Sequence, residues 1–360
     1  MKRIFAINLG STSTKVAYYK DDRCVAKETI SHPSEDLKKF NTVFDQLKMR
    51  KEIILNYMRR HRIKLDELDA FVSRGGTTEP IGGGVYRINE AMVNQMMSGE
   101  YGVHVCSVGC RIAYDLTQGK KAIPLTVDIP TTDEFEPLAR YSGLKEIRRL
   151  SRCHALNQKA MSKYYAESIG RDYEDLNLVV AMMGGGISVV AHKKGRMVDG
   201  PDAIEGDGPF SGNRSGTVPA GPLIKLCYSG KYDLDGMMKH INGEAGLMAY
   251  LGAIEVKEIA KAIEEGDKYA KEVLDAMCYQ IAKDIGAYAT VLKGDVDAIL
   301  LIGGMANSKY ITDSVTDRVQ FIAPVMVLPG EREMESLSLR SYGALCGKEE
   351  IKEFAPRRAM

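Results

Sequence analysis

Three things are scarce in this chain of 360 residues, and each scarcity removes a class of function. Surplus charge of either sign is one: 49 Lys and Arg face 48 Asp and Glu, leaving a formal net charge of +1. No global field therefore draws the chain to nucleic acid or to an anionic membrane, and any anion must be met by a local cluster. Long apolar runs are lacking too. None approaches the ~18 residues of a membrane helix, and the apolar start at Ile4 to Ile7 soon gives way to polar Ser11 to Lys15, too short for a signal peptide. Paired cysteines are the third scarcity. The seven, Cys24, Cys106, Cys110, Cys153, Cys227, Cys278 and Cys346, are odd in number and widely spread, which argues against a secreted disulfide framework and for a reducing cytoplasm. His104, Cys106 and Cys110 sit close together, but strong zinc signals pair two ligand couples and nothing completes this one.

What the chain has in plenty is glycine, 35 residues, gathered at 82–84, 184–186, 206–216 and 303–304. Clustering of this kind marks tight loops at chosen places. The length suggests two domains. Arg3 to Asn8 and Lys15 to Tyr19 read as strands around a polar turn, Leu68 to Val72 and Ile123 to Asp128 as further strands, and Leu176 to Met183 and Ala298 to Ile302 as apolar strands running into glycines. Helical spacing covers 37–62, 89–117 with a break near 99–102, 145–170 and 256–292. Alternation of this kind predicts a layered α/β architecture.

The chain also matches itself. Leu9 to Ala17 can be laid without gaps on Met183 to Ala191, an offset of 174 against a half-length of 180. The economical reading is a duplicated domain in which each half turns a Gly/Ser/Thr hairpin toward a shared cleft.

Several residues are placed to do chemistry. A glycine-containing turn offers backbone N–H groups to an anion; Gly10 provides one, Ser11, Thr12, Ser13 and Thr14 add hydroxyls, and Lys15 adds charge. The spacing is neither that of a P-loop nor of a dinucleotide fingerprint. Arg74, before Gly75 and Gly76, and Arg214, inside the glycine-rich 206–216 segment, suit bidentate pairing with a carboxylate or phosphate. Asp128 ends a strand, where it can bind metal, orient substrate or cap a helix. His154 stands at a helix start and can donate to a phosphoryl group. Glu331 and Glu333 flank Arg332, and either can reach magnesium through water.

Taken in order, Asn8 to Lys15, Ser73 to Gly76, His154 to Lys159, Met183 to Val189, Gly206 to Ser211 with Arg214 to Gly216, and Pro329 to Glu331 resemble the butyrate kinases of the acetokinase family, within the actin and sugar-kinase superfamily. The resemblance implies an α/β fold of two duplicated actin-like (ribonuclease H-like) domains with a nucleotide cleft between them. It places residues 1–150, joined by a C-terminal helix at about 335–360, in one domain and 151–334 in the other. ATP/ADP and Mg2+ are the implied cofactors, a short-chain or branched-chain carboxylate the implied substrate, and a homodimer or higher homo-oligomer the implied assembly. Asn8, Gly10, Ser11, Thr12, Ser13 and Lys15 would form the first phosphate loop, with Asn8 near magnesium. Gly184, Gly185 and Gly186 would form the second, while Gly303, Gly304 and Asn307 would border the adenosine. Arg74 and Arg214 would bracket the carboxylate and the moving phosphoryl group, Asp128 would orient substrate and metal, His154 would hydrogen-bond the phosphoryl oxygens, and Glu331 or Glu333 would support magnesium.

The chain departs from the family pattern at Met182, where histidine is usual, at Leu9, and between His104 and Gly109. The implied reaction is reversible phosphoryl transfer from ATP to a carboxylate. Its rivals are a sugar or polyol kinase with Asp128 as base, and a non-catalytic actin-like ATP-binding protein supported by Met182. Gly82 to Gly84 receive no role.

Overall fold

The computed structural model describes residues 1–357. In chain order the elements are β1 (Arg3–Leu9), β2 (Ser13–Lys20), β3 (Arg23–Ser31), α1 (Ser34–Leu37), α2 (Leu47–Arg60), β4 (Ala70–Ser73), β5 (Val85–Arg87), α3 (Glu90–Ser98), α4 (Val105–Thr117) and β6 (Ile123–Val127). There follow α5 (Ala155–Ser168), β7 (Asn177–Met183), β8 (Ile187–Lys193), β9 (Arg196–Asp199), α6 (Ala220–Cys227), α7 (Leu234–Ile241), α8 (Gly246–Leu251), α9 (Val256–Glu264), α10 (Lys268–Val291), β10 (Ala298–Gly303), α11 (Lys309–Val319), β11 (Val325–Pro329), α12 (Glu333–Leu345) and β12 (Ile351–Glu353). The chain forms two units. The first is Met1–Thr132 together with the segment from Arg332 onward, and the second is Asp133–Glu331.

Each unit is built on the same five strands. In the first the order is β6-β4-β1-β2-β3, extended at the β6 edge by β5 and β12; in the second it is β11-β10-β7-β8-β9. Within each core the first three strands run antiparallel and the next two join the first in parallel. A register irregularity even recurs at the same place, between Tyr18 and Tyr19 and between Ala191 and His192. Positions 18 and 191 are 173 apart, one less than the gapless offset, because the second turn is one residue shorter: Leu9 pairs with Thr14, but Met183 pairs with Ile187. The Val-Ala ending shared by the two segments is thus one residue out of structural register.

Burial follows position in the sheet. β7 and β10 are buried along their whole length, as strands covered on both faces must be, and apart from Asn177 at the start of β7 both read as apolar runs. β3, at an edge, alternates exposed and half-buried residues. The core of the second unit gathers Val179, Val189, Leu274, Ile281 and Leu301 between the sheet, α10 and α11, and that of the first gathers Phe5, Ile54, Phe71, Met92 and Ile112 around α2, α3 and α4.

Several expectations are corrected. Of the stretch 145–170 only Ala155–Ser168 is helical; Arg149 lies outside a helix because its guanidinium holds the Ala139 carbonyl, the Asp199 carboxylate and the Gly200 carbonyl. The stretch 256–292 is two helices, parted at Gly266 (φ +102°), with Asp267 capping the second through the Tyr269 and Ala270 N–H groups. Likewise, within 37–62, Leu37 ends α1, residues 38–42 are not helical, and helical structure resumes at residue 43 and ends at Arg60. The expected terminal helix ends at Leu345 and β12 follows it, while residues 358–360 lie outside the described residues. The division falls after Thr132 rather than Leu150, since Glu134 pairs with Lys159 and the Glu136 N–H bonds to the Val198 carbonyl.

Gly303 sits at φ +90°, and a Cβ there would lie 2.4 Å from the Met183 carbonyl oxygen. Gly303→Ala is expected to cost about 2 kcal/mol or more through strain and overpacking. Urea unfolding checks this; a shift under a few tenths would show that β7 and β10 can part there.

Candidate functional site

In the first unit the site grows from the end of β1. Asn8 and Lys15 are paired across the β1–β2 ladder, so their side chains share one face. Asn8 is buried and its Nδ2 donates to Glu333 Oε2 at 2.7 Å; Arg74 Nη2 lies 3.4 Å from Glu333 Oε1. Because the amide nitrogen faces the carboxylate, Oδ1 of Asn8 is turned toward other partners. Glu333, the first residue of α12, and Arg74, just after β4, thus meet Asn8 in one cluster. Glu331 belongs to the second unit.

The turn itself, Gly10 to Ser13, closes with the Gly10 N–H bonding the Ser13 carbonyl at 2.9 Å, and Ser11 and Thr12 are exposed. Behind it lies a residue that sequence reasoning missed. Arg50 of α2 is fully buried, and its guanidinium donates to the carbonyls of Ser13 (2.6 Å), Gly10 (3.1 Å) and Ser11 (3.2 Å), to Thr14 Oγ1 (2.9 Å) and to Gln46 Oε1 (2.9 and 3.1 Å). Burial lowers its pKa to about 10, which leaves it charged at neutral pH. With three carbonyls held inward, the turn is fixed from behind. A basic residue in an amphipathic helix looks solvated in sequence, and only the fold shows Arg50 facing inward.

Asp128 follows β6 at φ +39°, a left-handed backbone that only small polar residues other than glycine adopt readily. Its Oδ1 accepts the Gly84 N–H at 2.9 Å and its Oδ2 pairs with Arg340 of α12. Burial disfavours the Arg340 charge, but Asp128 and Glu349 reverse that effect and raise its pKa. One of the unassigned glycines thereby acquires a role, donating to Asp128. His104 caps α4 by accepting the Cys106 N–H on Nδ1, and Cys106 donates to the Leu9 carbonyl at 3.1 Å; burial pushes the Cys106 thiol up to about 12.

In the second unit the Gly184 N–H bonds to the Gly186 carbonyl at 3.0 Å, and Ser211 Oγ donates to the Gly185 carbonyl at 3.0 Å. Arg214 lies against this turn. A Cβ on Gly186 would come within 2.6 Å of its Nη1, which donates to the Ala203 carbonyl, so the glycine is what admits the guanidinium. Burial lowers the Arg214 pKa, with Asp202 opposing. His154, at the start of α5, places Nδ1 2.9 Å from Ser188 Oγ.

Beside the turn opens a cavity of about 1050 Å³, whose wall includes Gly184, Gly185, Gly304, Asn307, Ile254 and Lys257. A nucleoside fits such a volume. Gly186 and Gly303 lie behind the wall: the first admits Arg214 and the second packs on β7. α9 supplies one side with Lys257 and Lys261, an i,i+4 pair on one face that was visible in sequence but unassigned.

The acetokinase family model matches residues 137–330. Butyrate kinase 2 of Clostridium acetobutylicum is 43% identical over 352 residues, covering 98% of this chain and 99% of the relative. Butyrate kinase 1 of the same organism is 42% identical over 354 residues, covering 98% and 100%. Among solved structures, acetate kinase from Entamoeba histolytica superimposes with a TM-score of 0.77 at 14% identity, over 96% of this chain and 99% of that one.

Arg50→Met would remove the guanidinium from three turn carbonyls and leave the Ser13 carbonyl with the Gly10 N–H alone. The expected loss is about 3 kcal/mol in urea unfolding, with Arg50→Lys recovering only part because an ammonium cannot fork. Equal stability of Arg50→Met and the native protein would show that the turn holds itself.

Proposed function

The chain belongs to the acetokinase family and is an ATP-dependent carboxylate kinase, and from that premise we propose that it phosphorylates a short-chain or branched-chain acid reversibly, giving an acyl phosphate and ADP. The near full-length likeness to the two butyrate kinases carries this reading.

A carboxylate is already a nucleophile at neutral pH, so the protein's task is positioning and charge neutralisation. Arg74 and Arg214 take the acid and the moving phosphoryl group, and His154 donates to its oxygens. Lys15 and the hydroxyl groups of Ser11, Thr12 and Ser13 hold phosphate at one turn and the Gly184 to Gly186 turn holds it at the other, with the N–H groups of Gly10 and Gly184 closing the two turns. The cavity beside Gly304 and Asn307 takes the adenosine. Gly303 acts from behind that wall.

Asn8 Oδ1 and the Glu333 carboxylate fit magnesium, which favours hard oxygens and takes one or two carboxylates among its waters. When bound, magnesium would offset the charge on the phosphate oxygens. Glu333 is our choice over Glu331 because it stands against Asn8. Asp128, already paired with Arg340, serves as an orienting anchor rather than a direct ligand. The same pairing weighs against a sugar kinase, whose base would have to be free to take a hydroxyl proton. The free cysteines support a cytoplasmic setting, and the exposed apolar residues Ile224, Tyr228, Leu234 and Met238 on and beside α6 and α7 support self-association.

Coupled hydroxamate assays with ATP and magnesium over acetate, propionate, butyrate, isobutyrate and longer acids are expected to peak at the four-carbon acids. A preference for acetate over every longer acid would overturn the chain-length assignment, and no acyl phosphate from any acid in ATP-binding protein would sink the reading. Arg214→Ala is expected to lower kcat by about 100- to 1000-fold, the range for losing one transition-state donor. Glu333→Gln is expected to raise the magnesium concentration needed for half-maximal rate, measured by titration at fixed ATP; an unchanged requirement would remove Glu333 from the metal site.

A further inference from the structure

A line of buried polar side chains ends at His154. Tyr173 Oη lies 2.7 Å from His192 Nδ1, and His192 Nε2 lies 3.1 Å from Gln158 Oε1. Gln158 Nε2 lies 3.1 Å from the Ser188 carbonyl and 3.2 Å from Ser188 Oγ, and that hydroxyl meets His154 Nδ1 at 2.9 Å. Gln158, Ser188 and His192 are fully buried and Tyr173 nearly so. Gln158 follows His154 by one turn of α5, and Ser188 faces Met182 across the β7–β8 ladder.

The directions of these bonds follow from donor and acceptor counting. A carbonyl only accepts, so the end of Gln158 that faces the Ser188 carbonyl, with the Val180 carbonyl at 3.5 Å, is the NH2 group. Gln158 Oε1 must then receive its hydrogen from His192 Nε2. Burial pushes His192 down to about 3, so the ring carries one proton, and Nδ1 accepts from the Tyr173 hydroxyl. Ser162 lies 3.5 Å from the same nitrogen but donates its hydrogen to the Gln158 carbonyl at 2.8 Å. At the other end, Ser188 Oγ receives an N–H from Gln158, and its single hydrogen goes to His154 Nδ1.

We propose that Gln158 and Ser188 are positioning residues that fix neutral His154 as the Nε2–H tautomer, so that the imidazole meets its ligand as a hydrogen-bond donor. On the functional reading above, which this inference rests on, that ligand is the phosphoryl group in transfer. The opposite tautomer would put N–H on Nδ1, set Ser188 Oγ between two donors and leave its own hydrogen facing an NH2 group in a site closed to water. It would also present a lone pair to an oxygen gaining negative charge. His192 and Tyr173 hold Gln158 in the orientation that begins the chain.

Long-range 1H–15N spectra of protein labelled at histidine read the tautomer directly, with His154 identified by the signal lost in His154→Asn. The expected native result is Nε2–H at both His154 and His192. A native His154 carrying its hydrogen on Nδ1 overturns the proposal whatever the variants do. Ser188→Ala is expected to release His154 into a tautomer mixture and to lower kcat by about 10- to 100-fold, the range for losing a partner that orients a metal-bound imidazole, with KM for the acid little changed. Ser188→Thr, which keeps the hydroxyl, is expected to restore both signals. A pure Nε2–H spectrum in folded Ser188→Ala would overturn the role of Ser188. The spectrum is read without turnover, so failure of acyl phosphate formation would count against the functional reading alone.

Discussion

A polar group shut away from water must find a partner, and in this chain that requirement fixes the parts proposed to carry chemistry. Among the described residues Arg50 has no carboxylate to pair with. It is satisfied by turn carbonyls and by Gln46 and Thr14, and so it holds a loop that would otherwise be a solvated hairpin tip. Asp128 is satisfied by Gly84 and Arg340, which ties the end of β6 to the last helix of the same unit. Glu333 is satisfied by Asn8 and Arg74. In each case a charge inside the fold makes a local conformation obligatory, because releasing it would strand a buried group.

The two units show how one scaffold is adapted to different tasks. Both place a tight turn at the end of the central strand, and both put a polar network behind the second strand of the hairpin. Asn8 and Lys15 of the first unit stand where Met182 and Ser188 stand in the second. The first turn therefore keeps an amide and an ammonium beside its hydroxyls. The second is bare glycine, with Arg214 brought in from a later loop to supply charge. Met182 is not an empty substitution in this setting: its sulfur accepts from Asn157 Nδ2 at 3.2 Å and helps fill the space between β7 and α5.

The strands were legible because the central ones are apolar along their length, and the glycine turns because so few other residues can bend so tightly. The repeat was legible too, though a deletion of one residue in a turn shifts every later pair, which a gapless alignment cannot register. What escaped sequence reasoning were residues whose role depends on direction. Arg50, Arg340, Gln158 and Ser188 have ordinary neighbours in the chain, and nothing in their spacing says that they face inward. The boundary at Thr132 escaped for the same reason, since it depends on Glu134 and Glu136 finding Lys159 and the Val198 carbonyl far along the chain. Helices were overextended where a side chain claimed backbone carbonyls, as Arg149 does, or where aspartate began a new helix, as Asp267 does.

The pairing of internal charges also bears on the kind of acceptor. Phosphorylating an alcohol requires a base with a lone pair to spare near the hydroxyl, whereas a carboxylate brings its own negative charge and requires only cations and donors. Here the strand-end aspartate that would have to be the base is bound to an arginine whose charge it stabilises, so protonating Asp128 would break the pair and leave Arg340 with one carboxylate fewer in a buried site. In the tautomer proposed for it, His154 gives a hydrogen bond rather than taking a proton. Arg74 and Arg214 are each set beside backbone or carboxylate oxygens that orient the guanidinium without removing its charge. On the roles proposed for them, each unit contributes donors and cations, and Asp128 is already committed to Arg340, an inventory that suits an acceptor arriving ionised before any pocket has selected the length of the acid.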